Sequence, residues 1–487
     1  MPRIPFAVHN YKLDSLPASA QDLINLYAEE LPEGSRSPVM VRHVPGFELF
    51  ATGGSSKVWA MCEFQGEMYF VTGFSTLVLY KATTAGVVTS IGTLTSGGSP
   101  VSMAASASQL VVVASPYAWV VSGGTATLIS DPDFPSVQNV TYLGGYFVFT
   151  ETGSDQYVVS DLNNAASYSA LMVASAESVP DQVRRVIARN NELWVFGSRS
   201  IEIHVQTVEA DFPFQRANGG TVDIGTPAAA SVANVADSIC WLGSDRIVYR
   251  ATGYQPQRIS THAIEKEVEP FVQPELATGF AIVYQGHPQY VLSFPSTTQA
   301  NTGPGRTFVY DIATGLWHRR ASTITSGVPG GWGVACAARF GGSTLAAKML
   351  VGGASDGNLY TLKQSLATEA GTSLTAIATL PPLWARGEIA RLDSVELEIE
   401  TGVNASTLDV ALSWSDDGGQ TWATGVDRSM GASGDYGIRV IWRRLGSFRN
   451  RILRFTFDAG AKIAAYGADV RISGTNIQMG EQPRAPA

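Results

Sequence analysis

Six histidines are the first residues to test for chemistry, because imidazole is the side chain best suited to acid–base work and metal binding near neutral pH. His9, His43, His204, His262, His287 and His318 are scattered, with no HxH or HExxH spacing to set two on one face. Asp223, Asp237, Asp245 and Asp311 fall where turns or strand ends are expected. Nothing in their spacing raises any two to the paired carboxylates of a glycosidase, although such pairs meet only in three dimensions. No GxSxG elbow or Walker loop occurs, and residues 327–333, with Pro329 and Trp332, read as a turn rather than a phosphate cradle. Cys62, Cys240 and Cys336 are odd in number, far apart and outside any CxxC pair, which argues against a disulfide framework or a zinc site. The expectation is no catalytic residue, no metal and no cofactor.

Two constellations remain. Residues 415–422, SDDGGQTW, fit the S-x-D-x-G-x-T-W pattern of an Asp-box through Ser415, Asp417, Gly419, Thr421 and Trp422. The Asp and the glycines suit a tight hairpin under which the Trp packs. This motif recurs in sialidases, which are propellers, so a sialidase-like or glycan-binding propeller is the alternative reading. Here the motif occurs once, without a run of further Asp-boxes or an arginine cluster inside the repeats, and the structural reading is preferred. The second constellation pairs opposite charges. Residues 394–400 alternate strictly, putting Val395, Leu397 and Ile399 toward a core and Glu396, Glu398 and Glu400 outward. Downstream, Arg439, Arg443, Arg444, Arg449 and Arg451, with Arg454, form a basic counterpart. Arginine rather than lysine suits planar, bidentate contact with carboxylates, so these residues are read as a candidate assembly interface ahead of a phosphate contact.

The elements that must position these groups are strands. A unit of two short apolar runs around a small-residue turn returns seven times. It spans 61–64 and 68–71, then 103–107 and 110–113, then 140–143 and 146–149, then 186–188 and 193–196. Residues 239–242 and 247–249, 282–284 and 290–292, and the less regular 334–336 and 349–351 complete it. Successive turns lie about 37 to 56 residues apart, bracketing the roughly 40 to 50 of propeller blades, and the gaps hold further strands such as 77–80, 200–204 and 307–311. Continuous apolar runs suit strands buried on both faces. All three cysteines are expected in first strands of this unit, as small core side chains. Successive β-sandwiches are the alternative architecture.

The chain has 487 residues, enough for two or three domains, with only 15% charged residues and 49 glycines. A net charge of −9 argues against gripping nucleic acid over most of the surface. The start, MPRIPFAVHNYKLDSL, lacks a signal-peptide apolar run, and no stretch approaches a membrane span, so synthesis and folding in the cytoplasm are expected. The expected division is an N-terminal segment 1–55, a propeller 56–365 of six or seven irregular blades, and a C-terminal β-sandwich 366–487. In the first segment, Asp22 to Tyr27 is an apolar patch, Pro32-Glu33-Gly34 breaks any helix, and Arg42 to Phe47 is extended and must lie on another element.

Several segments together resemble one family, the tail-hub or packaged-DNA-stabilisation proteins of short-tailed bacteriophages, also called tail accessory factors or nozzle proteins. Ile24-Asn25-Leu26-Tyr27 followed by Val44-Pro45-Gly46 is similar to the family's opening. Ala176-Glu177-Ser178-Val179-Pro180-Asp181, then Phe196-Gly197-Ser198 and Ser200-Ile201-Glu202, resembles its central signature. Thr261 with Ile264-Glu265-Lys266, and Val440-Ile441-Trp442-Arg443-Arg444 through Arg449, match two later steps in order. The resemblance implies an all-β structural protein whose N-terminal segment and C-terminal sandwich form a platform beside the propeller. It further implies a six-fold ring of copies below the portal or adaptor protein. That ring would extend the channel for double-stranded DNA, help retain packaged DNA, and carry the tail needle, fibres or spikes. The departures lie mostly in loops, which leaves the fibre or spike partner and the channel-lining loops open.

Overall fold

Apolar runs broken every few residues by Gly, Asn or Ser favour strands over helices. The computed structural model describes residues 3–4, 6, 9–12, 19–95, 100–176, 178–207, 212–296, 305–325, 327–342, 347–473 and 478–479. Among these, the only α-helix is His262–Val268, and no helix is long and apolar enough to cross a membrane.

Seven four-stranded antiparallel units of the blade type follow one another along the chain. The first five are separate sheets, and the sixth and seventh are the four-stranded parts of a twelve-stranded and a six-stranded sheet. The first comprises Val58–Phe64, Glu67–Gly73, Leu77–Ala82 and Val88–Leu94 in up-and-down order. The next five open with Val101–Ala105, Val137–Leu143, Val183–Arg189, Ala233–Val235 and Thr278–Tyr284 and repeat that order. The seventh takes Val334–Phe340, Lys348–Gly353 and Asn358–Lys363, and its fourth strand comes from the other end of the chain. Gly46–Thr52 pairs there, Thr52 opposite Asn358, although the sequence division places it in the N-terminal segment. Without it, the third strand would present a row of unpaired backbone groups.

No individual sheet closes on itself, but apolar cores join each sheet to the next. Val71 and Leu79 meet Leu110 and Val112 between the first two, and Phe196 and Ile203 meet Ile239 and Trp241 between the fourth and fifth. Met68 and Phe70 of the first sheet share a core with Leu350 and Leu359 of the seventh. Each fully buried side chain of this size stabilises by about 1.5–3 kcal/mol relative to exposure. Interior strands such as Leu110–Ala114 are buried along their whole length.

One expectation needs correction. In the fifth sheet the apolar pair at 239–242 and 247–249 occupies the second and third strands, Ser238–Leu242 and Val248–Thr252, because Ala233–Val235 is only three residues long. Cys240 is therefore in a second strand, while Cys62 and Cys336 are in first strands. Burial pushes all three thiols up, to about 11 for Cys62 and about 12 for Cys240 and Cys336.

A second core lies between one further sheet and the part of the twelve-stranded sheet beyond the sixth unit. One runs Leu26–Glu30, Val39–His43, Ala464–Ser473, Ala390–Ile399 and Val440–Arg443. The other includes Ala376–Thr379, Asn450–Phe457, Asp409–Ser415 and Val426–Ser429. Leu26, Val41, Val395, Leu397 and Trp442 face Val410, Leu412, Phe455 and Phe457 in one cluster, so two N-terminal strands complete the C-terminal sandwich. Ala20–Ile24 joins the halves: it pairs with Ala376–Thr379 and, through Ile24, with Arg319 at the end of the sixth sheet.

Candidate assembly surface

The acidic and basic segments meet in one sheet. Ala390–Ile399 and Val440–Arg443 are antiparallel neighbours, with Glu396 opposite Ile441 and Ser394 opposite Arg443. Arg439 donates two hydrogen bonds to Glu396, both 2.7 Å, and these hold the Glu396 carboxyl below its usual range. Arg36 lies 3.3 Å from Glu398, and Glu400 is exposed just past the strand. Exposed pairs of this kind contribute about 0–1 kcal/mol. Arg451 is different: 2% exposed, it grips Asp416 through two 2.7 Å bonds and packs its plane against Phe448 and Trp414. It holds the sandwich together and is not available to a partner.

Arg443, Arg444 and Arg449 are exposed and have no ion-pair partner among the described residues. Two large apolar side chains stand beside them, which sequence reading missed. Trp384, 52% exposed, is paired opposite Asn450, and Ala385 donates its backbone N–H to Arg449 at 2.8 Å. Ile389, 59% exposed, precedes Ala390, which is paired with Phe448. One end of the sandwich thus carries an exposed Ile together with Trp and three arginines, the last two being residue types enriched at protein interfaces. The only sequence signal was two apolar residues flanking a turn after Pro381-Pro382.

The Asp-box spends its acid on its own backbone. Asp417 accepts hydrogen bonds from Ser415 Oγ at 2.6 Å and from the N–H groups of Gln420 and Thr421 at 2.9 Å, and Ser415 Oγ accepts from Gly419 N at 2.7 Å. The Ser415 and Thr421 hydrogen bonds hold the carboxyl far below the usual range. The Arg454 guanidinium stacks 3.3 Å from the Trp422 ring centre. The turn is a longer loop between Asp409–Ser415 and Val426–Ser429 than a two-residue hairpin.

The segments that carry the family resemblance are tied into the fold by hydrogen bonds. Asn25, at φ 57° and 2% exposed, donates to Ala321 O and Thr375 O and accepts from Ala321 N, all at 2.9 Å. Its amide therefore ties the N-terminal segment to both halves of the molecule. Pro45 O accepts from buried Arg320, whose guanidinium lies 3.7 Å over the Trp332 ring and 3.6 Å from Glu369. Asp181 accepts from the backbone N–H groups of Arg199 and Ser200, and Glu202 accepts from Ser178 N at 2.6 Å, clasping the two parts of the central signature; Glu177 lies outside the described residues. Thr261 caps the helix, accepting from Ile264 N at 3.4 Å. Among the described residues, no three His, Cys, Asp or Glu side chains are grouped to hold a metal ion.

Several solved structures are similar at low identity. The computationally designed protein Ika8 is 12% identical, with 65% of this chain and 99% of that one covered and a TM-score of 0.37. PorZ, a surface component of the type-IX secretion system of Porphyromonas gingivalis, is 14% identical over 78% of this chain and 46% of that one, at 0.38. BBS1N, solved in complex with ARL6DN, is 12% identical over 67% and 97%, at 0.40. No curated protein matches the sequence. The family described as Bacteriophage P22 Gp10, beta-propeller, matches residues 17–323, and that described as Bacteriophage P22 Gp10, beta-sandwich, matches residues 377–473. The chain belongs to the Bacteriophage P22 Gp10 family and is a non-enzymatic structural component of a phage virion tail.

Proposed function

We propose that this chain is a tail hub or nozzle subunit. Copies form a ring, six-fold by the family resemblance, below the portal or adaptor protein. The ring extends the channel for double-stranded DNA, helps retain the packaged genome, and anchors the needle, fibres or spikes. In this reading the seven sheets are the blades of one irregular propeller, 56–365 with Gly46–Thr52 added, while the rest of residues 1–55 and 366–487 form the platform. Family membership carries the proposal. The solvent-facing Trp384, Ile389, Arg443, Arg444 and Arg449 support placing subunit contacts on the platform, with Glu396, Glu398, Glu400 and Arg439 as the neighbouring charged rim. A net charge of −9 suits a conduit that must release DNA without sequence-specific binding.

The test is charge reversal at Arg443 and Arg444. The R443E/R444E variant is expected to keep wild-type thermal unfolding while losing rings in negative-stain electron micrographs. It is also expected to fail to complete tails on purified portal–adaptor assemblies. Normal rings and tails from that variant would remove the arginines from the interface. Turnover of host polysaccharides by the purified protein would overturn the structural reading itself.

A further inference from the structure

Four of the seven first strands share one irregularity. The ladder shifts register between Val58 and Ala60, Val137 and Asn139, Val183 and Arg185, and Val334 and Cys336. Each time the residue after a valine is bulged: Trp59, Gln138, Arg184 and Ala335. A bulge re-aims side chains that strict alternation would send to opposite faces. All four bulged residues line a cavity of about 210 Å³ where first strands converge. It shares Arg185, Gly279, Phe280 and Ala337 with a larger space of about 630 Å³ lined from the fourth to the seventh sheet.

The charge in these joined spaces has one sign. Arg184, Arg185, Arg339 and Lys348 line them, and among the described residues no Asp or Glu does. The sequence gives no hint of this arginine cluster, because its members belong to two sheets far apart in the chain. Arg185 donates to Ala229 O at 2.9 Å, but the Nε atoms of Arg184 and Arg185 are shielded from water and have no hydrogen-bond partner among the described residues. Burial pulls the Arg185 guanidinium down to about 10, so it stays a cation at neutral pH. Buried N–H donors left unmade are costly, and cationic donors are best satisfied by an anion. The larger volume falls in the range of small-molecule sites, about 300–1,000 Å³.

We propose that this axial cavity binds a small, multiply charged anion bearing phosphate or carboxylate groups, held by Arg184, Arg185 and Arg339. The experiment is calorimetric titration of the full-length protein with pyrophosphate and, separately, with citrate, at fixed ionic strength and with sodium chloride as the control. One saturable site per chain is expected for at least one anion, and the preferred anion distinguishes phosphate from carboxylate. R184Q and R185Q should each weaken binding about tenfold or more, while R443E leaves it unchanged. If R185Q does not fold, R339Q and K348Q, at exposed positions of the same lining, replace it and should each weaken binding severalfold. Absence of saturable heat with both anions, or unchanged affinity in R184Q and R339Q, overturns the proposal.

Discussion

Tyr157, His204 and Glu202 form a buried hydrogen-bonded row that, read as a list, resembles a catalytic relay. Tyr157 Oη lies 2.9 Å from His204 Nδ1, and His204 Nε2 lies 2.9 Å from Glu202. All three are buried between the third and fourth sheets, and the row ends on Ser178 N. Its role is to satisfy a carboxylate inside the protein. Burial pushes the Glu202 carboxyl up, but hydrogen bonds from His204 and Ser178 outweigh it and hold the group at about 2, below its ordinary 4.5. A depressed folded-state value contributes stability above the unfolded value and loses it as pH falls through the folded one. The contribution, on the order of 3 kcal/mol, is thus expected in full above pH 4.5 and to vanish toward pH 2. E202Q should be less stable than wild type at pH 7, and the gap should narrow between pH 4.5 and 2 in denaturant melts. A gap independent of pH would show that the carboxylate's charge contributes nothing. At this scale the sequence was legible only as residue types. Asn25 stood out in a motif, but its partners at Ala321 and Thr375 lie hundreds of positions away, and nothing local announces them.

Elements were more legible, because a strand buried on both faces must be apolar throughout and a turn must carry residues that tolerate it. Six of the seven repeats fall on first and second strands for that reason. The fifth slipped since Ala233–Val235 is too short and mixed to register as an apolar run. The exchange of Gly46–Thr52 into the seventh sheet was not legible at all: strand pairing over such a separation leaves no local mark. Gly46 shows how closely that strand is fitted. A Cβ there would lie 2.3 Å from Thr368 O and 2.8 Å from Leu366 O, both backbone atoms that cannot swing aside. G46A should therefore cost about 1–3 kcal/mol, seen as a lower midpoint in thermal unfolding. An unchanged midpoint would mean that residues 366–368 shift freely, and that the strand is not clamped as described.

At the scale of the whole molecule, residues 20–52 are shared between the two halves. They supply two strands to the sandwich, one strand to the seventh sheet, and the Ala20–Ile24 bridge from the sixth sheet to the sandwich. The two halves are thereby welded rather than linked. Deleting residues 1–55 should yield aggregated protein in sedimentation assays, since it leaves two sheets with open edges and Arg320 without Pro45. A soluble, cooperatively folding deletion variant would show that the halves are independent.

The strand Gly46–Thr52 also imposes a schedule on synthesis. It leaves the ribosome early, yet its partner Asn358–Lys363 emerges about three hundred residues later. At ~5–20 residues per second, the early strand waits on the order of 15 to 60 s with its backbone unmatched. The circuit of sheets can lock only once the chain has been made as far as Lys363 of its 487 residues, so the nascent chain is committed to this closure late. In an infected cell making many copies in parallel, that interval is when two chains sit closest to exchanging strands.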